Sequence, residues 1–163
     1  MIEVRRARKS DAAALVRIHA DMGAYYADLA PELFHDPDLQ GFELVLEDEI
    51  GDDLLALQLV AEVDGEVVGS LDARLLLPPA EAQFAFTRDL FAPRLRIEYL
   101  ATAAAHRGTG VGTALVEAAE AWGREQGATV AELTTYHDSP LAYPFWTERA
   151  GYAPRSVNLR KQL

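Results

Sequence analysis

The sequence predicts a mixed α/β domain in which helices cover the faces of one sheet, and three features support this prediction. Asp64-Gly65 separates two alternating apolar segments, 57–63 and 66–77, which is a strong signal for a β-hairpin. Apolar residues recur at helical spacing from Val111 to Trp122, which predicts an amphipathic helix packed against a sheet. With 163 residues, 50% of them hydrophobic, the chain is large enough to form a single domain, 1–163, around its own core.

The first half of the chain is predicted to contain one strand, two helical regions and the hairpin. Asp11 is a candidate N-cap for a helix with Ala14, Leu15, Ile18 and Met22 on one side. A second helical region is expected from about Leu33 to Leu46, ending near Gly51. Pro78-Pro79 ends the hairpin, and the segment up to Pro93 is predicted to be a loop. Its apolar residues, Phe84, Phe86, Leu90 and Phe91, are expected to pack against the domain.

The second half is predicted to continue as strand, helix, strand, helix and strand. The strands are expected at 95–102, 128–136 and 157–163, and Gly127 ends the amphipathic helix between the first two. Either Ser139 or Tyr143 begins a short helix. The whole order of elements is typical of a sheet with helices on its faces.

Charge is distributed unevenly along the chain. The net charge is −11, and the segment from Ile18 to Ala73 contains no Lys or Arg but 15 acidic residues, among them Asp52. The rest of the chain has 11 acids and 15 bases, a balance of +4. Such an acidic half repels nucleic acid and favours a cationic ligand, although a solvated acidic surface would have the same composition.

Residue usage excludes several kinds of chemistry. The chain has no cysteine, so disulfides, thiolate metal sites and a cysteine nucleophile are excluded. Its four histidines lack the spacing of metal ligands, so no metal is predicted. No long apolar run or leader segment is present, which predicts a cytoplasmic protein that does not contact membranes.

The segment from His106 to Thr113 is the most informative in the sequence. It has glycines at positions 108, 110 and 112, an arginine before them and a predicted helix after them. Glycines allow a backbone to turn tightly near a ligand, and the start of a helix offers free N–H groups to an anion. The spacing fits neither a P-loop nor a dinucleotide-binding fingerprint, because the Gly-Lys-Ser/Thr ending is missing and the third glycine comes one residue early. The segment is therefore predicted to bind a pyrophosphate.

The pattern Arg107-x-x-Gly110-x-Gly112 resembles the acetyl-CoA signature of the GNAT superfamily of N-acetyltransferases. The preceding segment, from Ile97 to Thr102, resembles that family's strand, with threonine where valine is usual. Further on, the 139–146 segment followed by Gly151-Tyr152 keeps the family's spacing, and the 2–7 segment with Asp11 looks like its first strand and helix. The resemblance thus covers nearly the whole chain. It implies a mostly antiparallel sheet with a splayed central strand pair.

The resemblance also implies which residues contact acetyl-CoA. Backbone N–H groups of the strand would hold the thioester carbonyl, and Arg107 and the glycine loop would hold the phosphates. Ser139 replaces the family's asparagine and could contact the cofactor or simply cap a helix. The implied cofactor-binding residues are Leu100, Ala101, Thr102, Arg107, Gly108, Thr109, Gly110, Val111, Gly112, Thr113, Ser139 and Trp146.

Acetyl transfer to an amine needs a proton acceptor for the amine and a proton donor for the thiolate. Glu98 occupies a position where several GNAT enzymes have a glutamate base, and His137 is a second candidate. Trp146 stands where the family usually has a tyrosine that acts as the general acid, and indole cannot act as that acid. Tyr143 lies three residues earlier and could replace that tyrosine, or the thiolate could leave unaided.

Tyr25, Tyr26 and His35 lie in the region that covers the acceptor in GNAT relatives. Together with the acidic residues nearby, they are predicted to select a small, positively charged amine. The sequence thus favours an acetyl-CoA-dependent N-acetyltransferase for such an acceptor. A homodimer is compatible with the family resemblance. A protein N-acetyltransferase and a non-catalytic acyl-CoA-binding or regulatory module are the alternatives.

Overall fold

The computed structural model describes residues 1–51 and 53–163, so the acidic Asp52 lies outside the described residues. One five-stranded sheet has the order β1 (Ile2–Arg6), β2 (Ala56–Val63), β3 (Glu66–Leu76), β4 (Arg94–Thr102) and β5 (Val130–Glu132). The helices are α1 (Ala12–Leu29), α2 (Phe42–Glu49), α3 (Val111–Glu125) and α4 (Ala142–Pro144), and a π-helical turn, Phe145–Arg149, continues α4. All neighbouring strands are antiparallel except β4 and β5, which are parallel. The predicted mixed α/β fold is confirmed.

The two faces of the sheet carry different helices because side chains alternate along each strand. On one face, Leu59, Leu71 and Ile97 form the core together with Leu115 of α3. On the other face, α1 and α2 lie over more polar positions of β2 and β3, including Ser70. The polar face is where an open cavity can form.

The hairpin between β2 and β3 confirms the prediction made from Asp64-Gly65. Both turn residues have positive φ, 53° for Asp64 and 82° for Gly65. This backbone matches the twist of the flanking strands, and Asp and Gly tolerate it at low cost.

Strands β4 and β5 pair over only three residues, Arg94–Arg96 against Val130–Glu132. β4 then continues to Thr102, whereas β5 ends. The two strands therefore splay apart, as the family resemblance implied, and the second half of β4 has an open edge.

The strand predicted at 157–163 is wrong. These residues form no regular structure, and the side chains of Val157 and Leu159 are 83% and 88% exposed. An alternating segment becomes a strand only if a neighbouring edge accepts its hydrogen bonds, and the short β5 offers little edge. The sheet consequently ends at β5.

Two other expectations need correction. The aromatic side chains of the loop do not pack as expected, because Phe84 is 81% and Phe86 100% exposed. The second helix is shorter than predicted, since it begins only at Phe42, after Gly41 in the left-handed conformation. Pro37 disfavours helix at Asp36, which interrupts the predicted helical region. No helix in the described part of the chain is long and apolar enough to cross a membrane.

Asp11 precedes α1 as predicted, but its carboxylate bonds backwards along the chain. It accepts two hydrogen bonds from Arg5, at 2.7 and 2.9 Å, and one from the Arg8 N–H at 2.7 Å. Arg5 also pairs with Glu62 on β2. The network joins β1, β2 and the start of α1, and the hydrogen bonds from Arg5 hold the pKa of Asp11 below its ordinary value of 3.8 against the effect of burial.

We expect Asp11→Asn to lower the free energy of unfolding at pH 7 by about 2 kcal/mol, because the half-buried Arg5 loses one of its two carboxylate partners. A depressed pKa in the folded state stabilises above the unfolded pKa and is lost as pH falls through the folded value. The difference between variant and wild type should therefore shrink below about pH 4. Urea unfolding at several pH values tests this, with the exposed Asp28→Asn as control. A pH-independent difference would contradict it.

Candidate functional site

The glycine loop forms a backbone cradle at the start of α3. Gly110 is the N-cap of the helix with φ 97°, and Gly108 has φ 78°. Within the described residues, none of the backbone N–H groups from Gly108 to Thr113 donates a hydrogen bond. A run of free N–H groups at the positive end of a helix is suited to bind a phosphate or pyrophosphate.

Arg107 lies beside this cradle but is oriented towards α1. Its Nη2 donates to the carbonyl of Asp21 at 3.2 Å, and its guanidinium carbon lies 5.2 Å from the centre of the Tyr25 ring. The Asp21 carboxylate also accepts a hydrogen bond from the Ala104 N–H at 2.9 Å. These contacts tie the start of the loop to α1.

The open edge of β4 lies next to the cradle. The Ala103 N–H donates to Val68 of β3, and the N–H groups of an antiparallel strand alternate in direction. By this alternation Ala101 also faces β3, whereas the N–H groups of Leu100 and Thr102 face the side that β5 has left. They are positioned to donate to a carbonyl oxygen in the gap.

Glu98 sits at a β-bulge in β4. Ile97 is opposite Ala73 and Tyr99 is opposite Asp72, which leaves Glu98 without a partner on β3. Its side chain is exposed. A bulge re-aims a side chain, and here it places a carboxylate at the point where the strands part.

Ser139 and Tyr143 lie where the chain enters α4. Ser139 is buried; its Oγ accepts a hydrogen bond from the Ala142 N–H at 3.0 Å and lies 3.1 Å from the Tyr25 hydroxyl. Ser139 thus caps the short helix. The Tyr143 ring is 4.6 Å from that of His137, which is exposed and lies 3.0 Å from the Asp138 carboxylate.

Trp146 belongs to the core in this structure. It is 7% exposed, and its ring packs edge-on against Phe145 and Tyr152 at centroid distances of 5.0 and 5.2 Å. Phe145 in turn approaches α3, because a Cβ on Gly112 would lie 3.4 Å from its ring. The glycine allows α4 to pack close to the cradle.

The residues expected to contact an acceptor are only partly brought together. Tyr25 reaches the site through Ser139, and Tyr26 packs between Tyr25 and Phe34 at 5.1 and 5.0 Å. Burial raises the pKa of Tyr26. His35 is exposed and its Nδ1 lies 2.8 Å from the backbone oxygen of Asp36, so it takes no part in this cluster.

Sequence reasoning missed a cavity, mostly apolar but containing a carboxylate, between the sheet and the first two helices. Its volume is about 160 Å³, and its lining includes His19, Ser70, Asp72 and Tyr99. Burial, together with the nearby charges of Glu49 and Glu98, raises the pKa of Asp72 to about 6. The available signal was an aspartate between Leu71 and Ala73 in the middle of β3, where both neighbours are apolar. The described residues contain no group of His, Asp or Glu side chains able to hold a metal ion.

Comparison with known proteins agrees with this architecture. A family model described as the acetyltransferase (GNAT) family matches residues 21–152. No curated protein matches the chain. Among solved structures, a transcriptional regulator from Bacillus halodurans C-125 is 25% identical, with a TM-score of 0.74 and 100% of both chains covered.

Two further structural neighbours are acetyltransferases. One, from Trypanosoma brucei, is 22% identical, with a TM-score of 0.68 and 100% of both chains covered. The other, an aminoglycoside acetyltransferase from an uncultured soil metagenomic sample, is also 22% identical, with a TM-score of 0.66 and coverage of 100% of this chain and 97% of that one. Because the family model spans most of the chain and the fold agrees, this protein belongs to the GNAT family of acetyltransferases.

Proposed function

We propose that the protein transfers an acetyl group from acetyl-CoA to a primary amine of a small cationic acceptor. The observation that carries this proposal is the row of free N–H groups from Gly108 to Thr113 beside the open edge of β4. The cradle suits the pyrophosphate of CoA, and the gap between β4 and β5 is suited to its pantetheine arm. Arg107 would turn from α1 to a phosphate, Ser139 would border the arm, and Trp146 would support this region from the core.

The backbone of β4 would polarise the thioester. The N–H groups of Leu100 and Thr102 point into the gap and can donate to the carbonyl oxygen as negative charge develops there. Ala101 between them is held by β3, which keeps the two donors in place. Fixed backbone donors need no reorganisation during the reaction.

Glu98 is the proposed proton acceptor. A primary amine has a pKa near 10.4, so it must lose a proton before it attacks the carbonyl carbon. Glu98 is exposed at the bulge beside the gap and can accept this proton, directly or through water. His137 is the second candidate, although it is paired with Asp138.

Tyr143 is the proposed proton donor for the departing thiolate. It is half-buried, whereas Trp146 is packed in the core. If the thiolate leaves unaided, Tyr143 is a packing residue that contacts His137.

The acidic N-terminal half favours a cationic acceptor, to which Tyr25, Tyr26 and His35 would contribute. One structural neighbour at 17% identity, with a TM-score of 0.62, is an aminoglycoside acetyltransferase in complex with sisomicin. A non-catalytic acyl-CoA-binding regulator is the second candidate, since another neighbour is a transcriptional regulator and the family's tyrosine is replaced by Trp146. A protein N-acetyltransferase, a homodimer and a cytoplasmic location remain predictions from the sequence.

We expect CoA and acetyl-CoA, but neither ATP nor NAD, to raise the melting temperature. A ligand at 100 times its Kd adds about 2.7 kcal/mol, which corresponds to several degrees for this chain length. Gly108→Asp should weaken CoA binding at least about tenfold, since it adds a negative charge to the cradle.

Gly127→Asp is the matched control for that variant. Gly127 also has positive φ, 82° against 78°, and no described atom lies within 4 Å of a Cβ built at either glycine. Aspartate tolerates this conformation better than most residues. Gly127 lies just beyond the other end of α3, so CoA binding should be unchanged. Equal losses in the two variants would mean that the loop is not the phosphate site.

Glu98→Gln should lower kcat/KM for the acceptor by about 100-fold or more, as expected for loss of a general base. The loss should be smaller at high pH, where more of the amine is already neutral. Thiol release can be followed without background, because the chain has no cysteine. The exposed Glu117→Gln on α3 serves as control. An unchanged rate would direct attention to His137.

Tyr143→Phe should lower kcat by about tenfold or more while KM for acetyl-CoA stays constant, because the phenol would act only as the thiolate departs. The measurement is steady-state thiol release over a range of acetyl-CoA concentrations at a saturating concentration of the acceptor. A kcat equal to that of the wild type would mean that the thiolate leaves without an acid.

A further inference from the structure

The cavity under α1 and α2 has no role in the steps assigned above. Residues from three strands and both helices line it, with Asp72 and Tyr99 side by side on adjacent strands. Its volume of about 160 Å³ is similar to the roughly 150 Å³ cavity that holds benzene in another protein, so a group of about six heavy atoms fits. The cavity is partly open, which gives a ligand access.

Within the described residues, Asp72 has no hydrogen-bond donor or cationic side chain that would stabilise its charge in the cavity. Within the described residues no hydrogen bond reaches its carboxylate, and no Lys or Arg lines the cavity. Burial disfavours its charge, and the carboxylates of Glu49 on α2 and Glu98 on β4 disfavour it further. An ionised Asp72 therefore destabilises the unliganded fold, and a cation placed beside it would remove the conflict.

The other side chains facing Asp72 are uncharged near neutral pH. Burial lowers the pKa of His19 on α1 and raises that of Tyr99, which favours the neutral imidazole and phenol. Gln58 on β2 is neutral. The His19 ring stacks on Tyr99 at 5.7 Å and lies 4.8 Å from Phe42. Aromatic faces next to a carboxylate form an environment that attracts an ammonium group with an aliphatic stem.

We propose that the cavity lined by Asp72, His19 and Tyr99 binds a second ammonium group of the acceptor, separate from the amine that is acetylated. The acceptor class is then a molecule with at least two amines. This inference deepens the function proposed above and rests on it.

Two arguments separate this group from the reacting amine. A carboxylate that binds an ammonium ion raises the amine's pKa, which opposes the deprotonation that attack requires. In addition, Asp72 lies on β3, whereas the open edge of β4 faces the opposite direction. Neighbouring strands are about 4.8 Å apart, so Asp72 is one strand away from the gap, although Tyr99 of β4 also lines the cavity. A diamine several carbons long can span that separation.

The test compares 1,4-diaminobutane with butylamine as acceptors for wild type, Asp72→Asn and the control Asp48→Asn. Asp48 is an exposed acid on α2 that does not line the cavity, so this control makes the same charge change. We expect Asp72→Asn to raise KM for the diamine at least tenfold, with kcat and the KM for butylamine unchanged. Asp48→Asn should behave like wild type.

Two outcomes would overturn the inference. An unchanged diamine KM in Asp72→Asn would mean that the cavity binds no ammonium group. Equal losses with both amines would mean that Asp72 acts on the reacting amine or on the fold. The melting temperature at pH 7.5 separates an effect on folding from an effect on binding. A raised pKa in the folded state contributes stability that is lost as pH rises through about 6. Asp72→Asn should therefore be at least as stable as wild type at pH 7.5.

Direct binding distinguishes failure of this inference from failure of the proposed function. Calorimetry with 1,4-diaminobutane on the CoA-saturated protein needs no turnover. Binding to wild type that weakens below pH 6, and that is lost in Asp72→Asn, would support the inference even if no acetylation occurs. Absence of diamine binding to wild type would overturn it, whereas thiol release with butylamine alone would leave the acetyltransferase proposal intact.

Discussion

The site depends on one constraint, the short pairing between β4 and β5. After three residue pairs β5 ends, and the rest of β4 has hydrogen-bonding groups that no strand satisfies. Free backbone donors of this kind cost stability if they are buried without a partner. Here they border a gap that a ligand can fill. The strand that forms part of the sheet core is thereby also one wall of the site.

Helix α1 connects the separate parts of this site. Asp21 holds the loop before α3 through the N–H of Ala104 and the side chain of Arg107. One turn later, Tyr25 contacts Ser139 at the entry to α4. The phosphate cradle and the segment that carries Tyr143 are therefore both attached to the same helix. Movement of α1 would therefore displace both the cradle and the segment that carries Tyr143. The same helix also covers the cavity.

The two faces of the sheet differ in the polarity of their side chains. The face under α3 is filled by aliphatic side chains such as Leu71 and Leu115, which are fully buried. The face under α1 and α2 keeps Ser70, Asp72 and Tyr99, whose charged or polar groups gain little from burial. A half-buried aspartate with a raised pKa, such as Asp72, is more typical of a binding or catalytic site than of a core.

The sequence by itself determined the features that arise from local chemistry. The Asp64-Gly65 turn, the amphipathic α3 and the glycine loop are specified by residues within a few positions of one another, so their backbone preferences are readable along the chain. Features that need distant partners were decided only by the tertiary structure. The segment 157–163 alternates like a strand but finds no edge to pair with. Arg107 turns to α1, and Asp72 meets Tyr99, Glu49 and His19 only because three strands and two helices bring them together. Burial and charge at such positions are set by neighbours far away in sequence, which local patterns do not contain.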